Sequence, residues 1–281
     1  MKLLIIRHGE PDYKNDSLTE KGRREAECLA EYLSRQLGPH VRAAKAGKDR
    51  PGAENQDRQT LSGGAAETGT ENGSTERQVY FYMSPLGRAQ ETAEPTLQKL
   101  GCTAEVLPWL REFDVFIDRP DDQTKKRVPW DWPPKDWTED PRFYLADHWF
   151  ENERMAASNV GGEYRKVTEH FDELLARHGY RREGGYYRAG KPNHDIIVLF
   201  CHFGLEGVLL SYIWGVSPMP VWHGTCAAPA SVTTLVTEER REGIASLRML
   251  TFGDTTHLYL QDEEPSFAAR FCECFEDGTR H

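Results

Sequence analysis

The chain has 281 residues and carries 35 Lys and Arg against 45 Asp and Glu, a net charge of -10. This length suits one large α/β domain with insertions or two small domains, and the acidic balance opposes nucleic-acid binding through phosphate counterion release. No stretch approaches about 18 consecutive apolar residues and no apolar segment follows a basic start. We therefore predict no membrane span, no signal peptide, no nucleic-acid or membrane partner, and a cytoplasmic location.

The six cysteines are spread over strand-like, helix-like and terminal segments, unlike the disulfide framework of a small secreted domain. We predict that they are reduced thiols. Cys272 and Cys274 form the one close pair, and without a second pair or nearby histidines they favour an ordinary tail over a metal site. No metal and no other cofactor is predicted.

The apolar run at residues 3–6 predicts a buried strand over residues 2–6, which is followed by Arg-His-Gly at residues 7–9. Apolar residues then recur at helical spacing over residues 26–37, with Thr19 as the predicted N-cap and Gly38 as the predicted end of the helix. The chain therefore opens with a strand, a loop and a helix.

A polar segment follows at residues 43–78, where Leu61 is the one large apolar residue among many Gly, Glu, Thr, Asn and Arg. Such a segment cannot bury enough apolar surface to offset the entropy lost on ordering. We predict a disordered insertion here in preference to a functional lid.

Strand and helix patterns alternate through the rest of the chain. The run VYFYM at residues 79–83 predicts a strand, and Ser84 and Pro85 resemble the start of a helix over residues 86–100. The remaining predicted elements are a short strand near residues 105–107, a helix over residues 164–175 ending at Gly179, a buried strand at residues 195–200, a helix over residues 205–213, and strands at residues 231–237 and 245–250. The alternation predicts a single domain over residues 1–281 with a three-layer α/β/α fold and a largely parallel central sheet.

The stretch at residues 118–160 interrupts this alternation with many Pro and Trp residues, and its prolines forbid long regular elements. We predict a cap or specificity insertion. Trp130, Trp132 and Trp137 would cover the site or stack on an organic leaving group, and packing within the cap or a dimer contact explains them equally well. The charge run at residues 125–127 is more typical of a solvated surface than of a substrate-attracting one.

Three predicted strands are followed by residues suited to binding a phosphoryl group. Arg7 and His8 follow the first strand, Arg88 follows the second, and His202 follows the strand at residues 195–200. In open α/β sheets, ligands bind at the carboxyl ends of the strands, so parallel neighbours would bring these side chains together. Arginine binds oxyanions through charge-assisted hydrogen bonds, and we expect the N-termini of the helices after the second and third strands to add backbone N–H groups.

A neutral histidine in such a pocket can attack phosphorus and form a covalent phosphohistidine. The leaving oxygen then needs a proton from an acid, and the incoming water later needs a base. Glu112 and Asp114, in the loop after the short strand near residue 105, are candidates for this role, and Glu10 is a third. The residues alone leave the choice between them open.

Four segments together carry a family resemblance: RHGE after the first strand, SPLGRAQETA on the second strand and helix, LREF, and FCHFG late in the chain. They resemble the histidine phosphatase superfamily, whose fold is phosphoglycerate mutase-like. The similarity runs from residue 2 to about residue 258, with gaps at the two insertions. It implies a nucleophile at His8, a phosphate pocket of Arg7, Arg88 and His202, and a proton donor at Glu112, with no metal.

The sequence also departs from members of this superfamily. Cofactor-dependent phosphoglycerate mutases carry a Tyr- and Gly-rich signature around their acid residue, which LREFDVFIDRP lacks. We therefore expect a phosphatase of the histidine acid phosphatase type acting on a small phosphorylated substrate. A mutase-type phosphotransferase and a non-catalytic phospholigand-binding module are the alternatives.

Three further residues and one property complete the expectations from the sequence. Phe203 follows the second histidine where a small residue is usual, so it would either narrow the pocket or line it for an apolar substrate. His223 and His257 are isolated in the sequence, and we favour structural roles for both, with contact to substrate as the alternative for His223. The sequence predicts no particular oligomeric state.

Overall fold

The computed structural model describes residues 1–48, 77–121, 126–267 and 274–276. Its strands are β1 (Lys2–Arg7), β2 (Pro11–Asp12), β3 (Ser17–Leu18), β4 (Val79–Met83), β5 (Glu105–Val106), β6 (Ile117–Asp118), β7 (Lys126–Arg127), β8 (Tyr180–Glu183), β9 (Tyr186–Ala189), β10 (Ile196–Cys201), β11 (Val232–Arg241) and β12 (Ile244–Asp254). Its helices are α1 (Glu20–Lys48), α2 (Gly87–Leu100), α3 (Pro134–Thr138), α4 (Glu153–Ala157), α5 (Val160–Arg177), α6 (Phe203–Trp214), α7 (Pro218–Gly224) and α8 (Thr256–Tyr259), with short 3-10 helices at Pro108–Leu110, Pro141–Tyr144 and Trp149–Glu151. Within this described part of the chain, no helix combines the length and the apolar character needed to cross a bilayer.

The central sheet has eight strands in the order β5-β4-β10-β1-β11-β12-β9-β8. The first four are parallel neighbours, and the other four extend the sheet through antiparallel pairs. Strand β10 comes last of the parallel strands along the chain but lies between β4 and β1. The carboxyl ends of these three strands therefore adjoin, and the predicted α/β fold class is confirmed.

Side chains alternate between the two faces of β1, and each face has its own core. Leu4 and Ile6 belong to the cluster that also contains the apolar stripe of α1. Leu3 and Ile5 belong to the larger cluster on the opposite face, which contains the apolar side chains of α5 and α6. This is the three-layer arrangement, with the sheet between two layers of helices.

Helix α1 begins as predicted but does not end at Gly38. The Oγ1 of Thr19 accepts a hydrogen bond from the Gly22 N–H at 3.0 Å, so Thr19 caps the helix. Beyond Gly38 the helix continues with Pro39 on its exposed side, because Val41 is still buried in the core cluster. The first residues of the predicted insertion, up to Lys48, are therefore helical, and the remainder to residue 76 lies outside the described residues.

The hairpin of β8 and β9 was not predicted from the sequence. Its strands pair in antiparallel register, and Gly184 in the connecting turn has a φ of 56°. A pair of glycines between Tyr-containing runs is a hairpin signal, but the charged sequence RRE of β8 lacks the apolar alternation expected of a strand. Antiparallel pairing of β9 with β12 stabilises the hairpin, although its local sequence pattern is weak.

The Pro- and Trp-rich stretch contains only short elements, as its prolines predict. Trp132, Phe143 and Trp149 are buried in the larger core cluster, and the Trp132 and Phe143 rings meet edge to face with centroids 5.0 Å apart. Aromatic packing therefore orders the stretch where regular hydrogen bonding does not. Residues 122–125, which include Lys125 of the charge run, lie outside the described residues, and the cap role stays a prediction.

Candidate active site

Two histidines and two arginines meet where the parallel strands end. Arg7 is the last residue of β1 and is paired across the sheet with the last residue of β10. His8 and His202 follow these two strands, and their ring centroids lie 5.1 Å apart. Arg88 enters from the first turn of α2, after β4, and all four side chains are buried. The structure therefore brings together the four residues that the strand ends predicted.

The His8 ring is held in one tautomer. Its Nδ1 lies 2.7 Å from the carbonyl oxygen of Gly9. Because a carbonyl oxygen can only accept, Nδ1 carries the proton and Nε2 is the unprotonated nitrogen. Burial, followed by the positive charge of Arg7, holds the pKa of His8 well below its usual value of 6.5. A neutral imidazole with a lone pair on Nε2 is a competent nucleophile.

Arg7 and Arg88 are each anchored through the Nη1 nitrogen of their own guanidinium. The Nη1 of Arg7 donates to the carbonyl oxygen of Ala227 at 2.5 Å, and the Nη1 of Arg88 donates to the carboxylate of Asp16 at 2.5 Å. The Nε of each arginine is buried and has no hydrogen-bond partner among the described residues. Buried cationic donors of this kind are stabilised by oxyanion oxygens, which fits a phosphoryl group.

His202 faces the same space from the end of β10. Its Nε2 lies 2.8 Å from the Oγ of Ser84, at the end of β4, while its Nδ1 is buried without a partner among the described residues. Burial, followed by the effects of His8 and Arg88, holds the pKa of His202 well below 6.5. His202 is thus a neutral, fixed group beside the two arginines.

Glu112 lies at the N-terminus of α6. Its Oε1 accepts hydrogen bonds from the N–H groups of Phe113 at 2.8 Å and Leu205 at 3.0 Å. Burial raises the pKa of the Glu112 carboxyl above its usual value, although these hydrogen bonds and the charge of Arg7 oppose the shift. A Cβ atom on Gly204 would collide with the Trp130 indole nitrogen and lie only 2.7 Å from Glu112 Oε1, so the close approach of both side chains requires glycine. A buried carboxyl with a raised pKa is suited to hold a proton for transfer.

The N-termini of α2 and α6 were expected to offer N–H groups to phosphate, but one N–H group at each binds a carboxylate of the protein instead. At α6 the Leu205 N–H donates to Glu112, and at α2 the Gly87 N–H donates to Asp16 Oδ2 at 2.7 Å. A carboxylate is stabilised there by the same unpaired N–H groups and helix dipole that would stabilise a phosphate. These two N–H groups therefore serve the protein's own carboxylates.

Two acidic residues close to the site were missed by the sequence reasoning. Asp16 contacts Arg88 from 72 residues away in the chain. Glu206 is buried one helical turn after His202, and burial raises the pKa of its carboxyl to about 7. Neither carries a local signal, because acidic residues in polar loops and first helical turns are usually solvated.

The other carboxylates considered for the acid role are engaged elsewhere. The Glu10 carboxylate accepts a hydrogen bond from the Thr19 hydroxyl at 2.8 Å, at the start of α1. Asp114 forms a surface ion pair with Arg111 at 3.4 Å. These contacts favour Glu112 as the acid. In the described ranges, no group of three or more His, Cys, Asp or Glu side chains is arranged to hold a metal ion.

The two isolated histidines have contacts within the fold. His223 donates from Nδ1 to the Met219 carbonyl of its own helix at 2.8 Å, and its Nε2 accepts from the backbone N–H of Trp132 at 3.3 Å. Its ring stacks on Trp137 with centroids 5.1 Å apart. His257 is buried and stacks on Tyr32 at 5.4 Å. These contacts agree with the structural roles expected from the sequence.

Aromatic rings flank both arginines of the site. The centroid of the Phe203 ring lies 5.6 Å from the guanidinium carbon of Arg7, and that of Tyr13 lies 5.5 Å from the guanidinium carbon of Arg88. Trp130 packs edge to face on Phe203 at 5.8 Å. Of Trp130, Trp132 and Trp137, Trp130 is the one whose ring packs on Phe203 beside the site.

The comparison with protein families identifies the class of this chain. The model of the histidine phosphatase superfamily (branch 1) matches residues 65–249, more than half of the chain. The chain belongs to the histidine phosphatase superfamily, and this membership supports a phosphatase activity. The matched region contains Arg88, Glu112 and His202, whereas Arg7 and His8 precede it.

Several solved structures resemble the chain at low sequence identity. A phosphoserine phosphatase mutant from Entamoeba histolytica in complex with phosphoserine is 15% identical, with a TM-score of 0.47, covering 92% of this chain and 98% of that one. A mycobacterial glucosyl-3-phosphoglycerate phosphatase in complex with VO3 is 18% identical, with a TM-score of 0.46, covering 90% and 99%. YhfR of Bacillus stearothermophilus is 19% identical, with a TM-score of 0.46, covering 92% and 98%. No curated protein matches the sequence.

Proposed function

We propose that this chain is a metal-independent phosphomonoester hydrolase that acts on a small phosphorylated metabolite through a phosphohistidine at His8. The observation that carries the proposal is the tautomer of His8, whose Nδ1–H is bound by the Gly9 carbonyl so that Nε2 is the nucleophilic nitrogen. The buried, unpaired Nε–H groups of Arg7 and Arg88 support the proposal, because cationic donors bind negatively charged phosphoryl oxygens.

In the first step, Nε2 of His8 forms a bond to phosphorus as the ester P–O bond breaks. The electron pair of that bond stays on the leaving oxygen, which takes the proton held by Glu112. The imidazole ring becomes cationic, and the Gly9 carbonyl stabilises that charge through the Nδ1–H. The two arginines and His202 hold the phosphoryl oxygens while charge develops on them.

In the second step, water attacks the phosphohistidine and the N–P bond breaks. Glu112, now ionised, takes a proton from the water as the new P–O bond forms. The electron pair of the N–P bond returns to Nε2, and inorganic phosphate leaves. Both His8 and Glu112 are then restored to the protonation states in which they began.

One feature supports hydrolysis over transfer to a second hydroxyl. The sequence around Glu112 lacks the Tyr- and Gly-rich signature of the cofactor-dependent mutases in the same superfamily. The small phosphorylated substrate, the cytoplasmic location and the absence of nucleic-acid and membrane partners remain predictions from the sequence.

The test combines turnover with trapping of the intermediate. Purified protein is assayed in EDTA against sugar phosphates, nucleotides, phosphoglycerates and phosphopeptides, and quenched samples are examined for protein-bound phosphate. We expect turnover that EDTA leaves intact, and acid-labile, base-stable phosphate on the wild type that is absent from His8→Ala. His148→Ala is the matched control, because His148 is exposed and paired with Glu151 on the surface.

Three results would change the assignment. Full activity of His8→Ala would exclude the phosphohistidine route. Conversion of a phosphoglycerate into its isomer without release of phosphate would reassign the chain to phosphotransfer. Tight binding of phosphate without turnover of any substrate would indicate a binding module.

A further inference from the structure

We propose that Asp16 is a positioning residue that orients Arg88 so that the Nε edge of its guanidinium faces the phosphoryl group. The inference rests on the proposed function in one respect, since it takes Arg88 as a phosphate ligand. No family motif identified in the sequence includes Asp16 in this role.

Both carboxylate oxygens of Asp16 accept hydrogen bonds from the first two residues of α2. Oδ1 accepts from Nη1 of Arg88 at 2.5 Å, and Oδ2 accepts from the N–H of Gly87 at 2.7 Å. The same carboxylate therefore caps the helix and holds the side chain that the helix presents. Because the two donors belong to consecutive residues, the position of the guanidinium is tied to the helix end.

The loop that carries Asp16 is docked closely on α2. A Cβ atom on Gly87 would collide with the backbone carbonyl oxygen of Asp16, so the backbones approach as closely as glycine permits. Asp16 itself adopts a φ of 48°, in the left-handed region that non-glycine residues rarely occupy. Two residues further on, the Leu18 N–H donates to Glu91 of α2 at 3.0 Å. The fold thus maintains an unusual backbone conformation that delivers this carboxylate to Arg88.

The anchoring determines which edge of Arg88 remains for a ligand. A guanidinium is planar, so fixing Nη1 leaves the edge formed by Nε and Nη2 for bidentate binding. The Nε is buried, Arg88 is 8% exposed, and no described residue accepts from that nitrogen. Arg7 has the same arrangement, with Nη1 bound to a backbone carbonyl and Nε unpaired. Both arginines would therefore present the same edge to a phosphoryl group.

Positioning and simple electrostatics predict opposite signs for the loss of Asp16. A carboxylate near an anion site repels the anion, so charge alone predicts tighter phosphate binding when it is removed. If Asp16 orients Arg88, its removal weakens phosphate binding, because the guanidinium loses its fixed direction. The sign of the change therefore separates the two explanations.

The experiment measures the affinity for inorganic phosphate by calorimetry, which does not depend on turnover. The proteins are the wild type, Asp16→Ala, Arg88→Ala and the double variant. We expect Asp16→Ala to weaken phosphate binding by about tenfold, the scale of one charge-assisted hydrogen bond. In the Arg88→Ala background the same substitution should no longer weaken phosphate binding, because the partner of Asp16 is already absent.

Two more variants test the geometry. Asp16→Asn keeps an acceptor oxygen for Arg88, so it should bind phosphate at least fivefold more tightly than Asp16→Ala. Glu94→Ala is the matched control on α2, where the exposed Glu94 carboxylate accepts a hydrogen bond from the Gln98 side chain at 2.9 Å. Its phosphate affinity should equal that of the wild type. If Asp16→Ala does not fold, Asp16→Ser takes its place, since serine retains a hydroxyl near the helix end.

The outcomes are distinct. Tighter phosphate binding by Asp16→Ala, or additive losses from Asp16→Ala and Arg88→Ala, would overturn the positioning role. A wild type that binds phosphate with the expected cycle but turns over no substrate would leave this inference standing and overturn the proposed function. A wild type that does not bind phosphate would overturn both.

Discussion

Replacing Glu112 by glutamine separates proton transfer from structure. The amide oxygen of glutamine can still accept the N–H groups of Phe113 and Leu205, which now donate to Oε1 at 2.8 and 3.0 Å. The N-terminus of α6 should therefore keep its cap, and only the transferable proton is lost. General acid catalysis contributes about 100-fold to 10,000-fold, which corresponds to roughly 3 to 5 kcal/mol of the barrier.

The assay compares two leaving groups. For an alkyl phosphate, whose leaving oxygen needs a proton, we expect kcat/KM of Glu112→Gln to fall by at least about 100-fold. For p-nitrophenyl phosphate, whose leaving group is stable as an anion, the first step should lose less than about tenfold. The second step still lacks its base, so a burst of nitrophenol and an accumulated phosphohistidine should follow.

Asp114→Asn is the control, because Asp114 is the neighbouring carboxylate and forms a surface pair with Arg111. Its activity on both substrates should match the wild type. Equal losses of Glu112→Gln on the two substrates would refute the acid role of Glu112. A loss that depends on the leaving group in Asp114→Asn would transfer that role to Asp114.

Three further results are expected. Because the pKa values of His8 and His202 are lowered in the folded protein, the unfolded chain binds protons more readily, and the free energy of unfolding should fall as the pH drops below 6.5. Urea unfolding across this pH range measures the effect. An equal pH dependence in His8→Asn would argue against a contribution from His8. Gly204→Ala would push a methyl group against both Trp130 and Glu112. Displacement of Glu112 should reduce kcat/KM by about 100-fold, so unchanged kinetics would contradict the packing argument. Replacing the exposed Pro39 inside α1 by alanine restores a helical N–H and should raise the free energy of unfolding by about 1 kcal/mol or more, measured by urea titration, whereas no increase would mean that the helix tolerates proline there.

The sequence predicted the ends of strands and helices correctly where the local pattern and the tertiary packing favour the same conformation. The apolar run of β1 and the residues after it predicted a strand that ends at Arg7 and His8, because an apolar strand stops where polar groups must face a site. Thr19 was recognisable as a cap because its role depends on residues within one helical turn. At Gly38 the local stop signal was wrong, because burial of Val41 makes a longer helix favourable.

The sequence alone indicated the α/β class, the superfamily resemblance and the side chains that carry the proposed chemistry, since each of these depends on short segments with their own periodicity or motif. Only the tertiary structure decided which atoms of those side chains are available. Pairing of β10 between β1 and β4 sets His202 beside His8. The Gly9 carbonyl selects the nucleophilic nitrogen, and Asp16, 72 residues from Arg88, anchors that arginine by one nitrogen. The Asp16–Arg88 and His8–His202 contacts join residues that are distant in the chain, so no periodicity or motif encodes them.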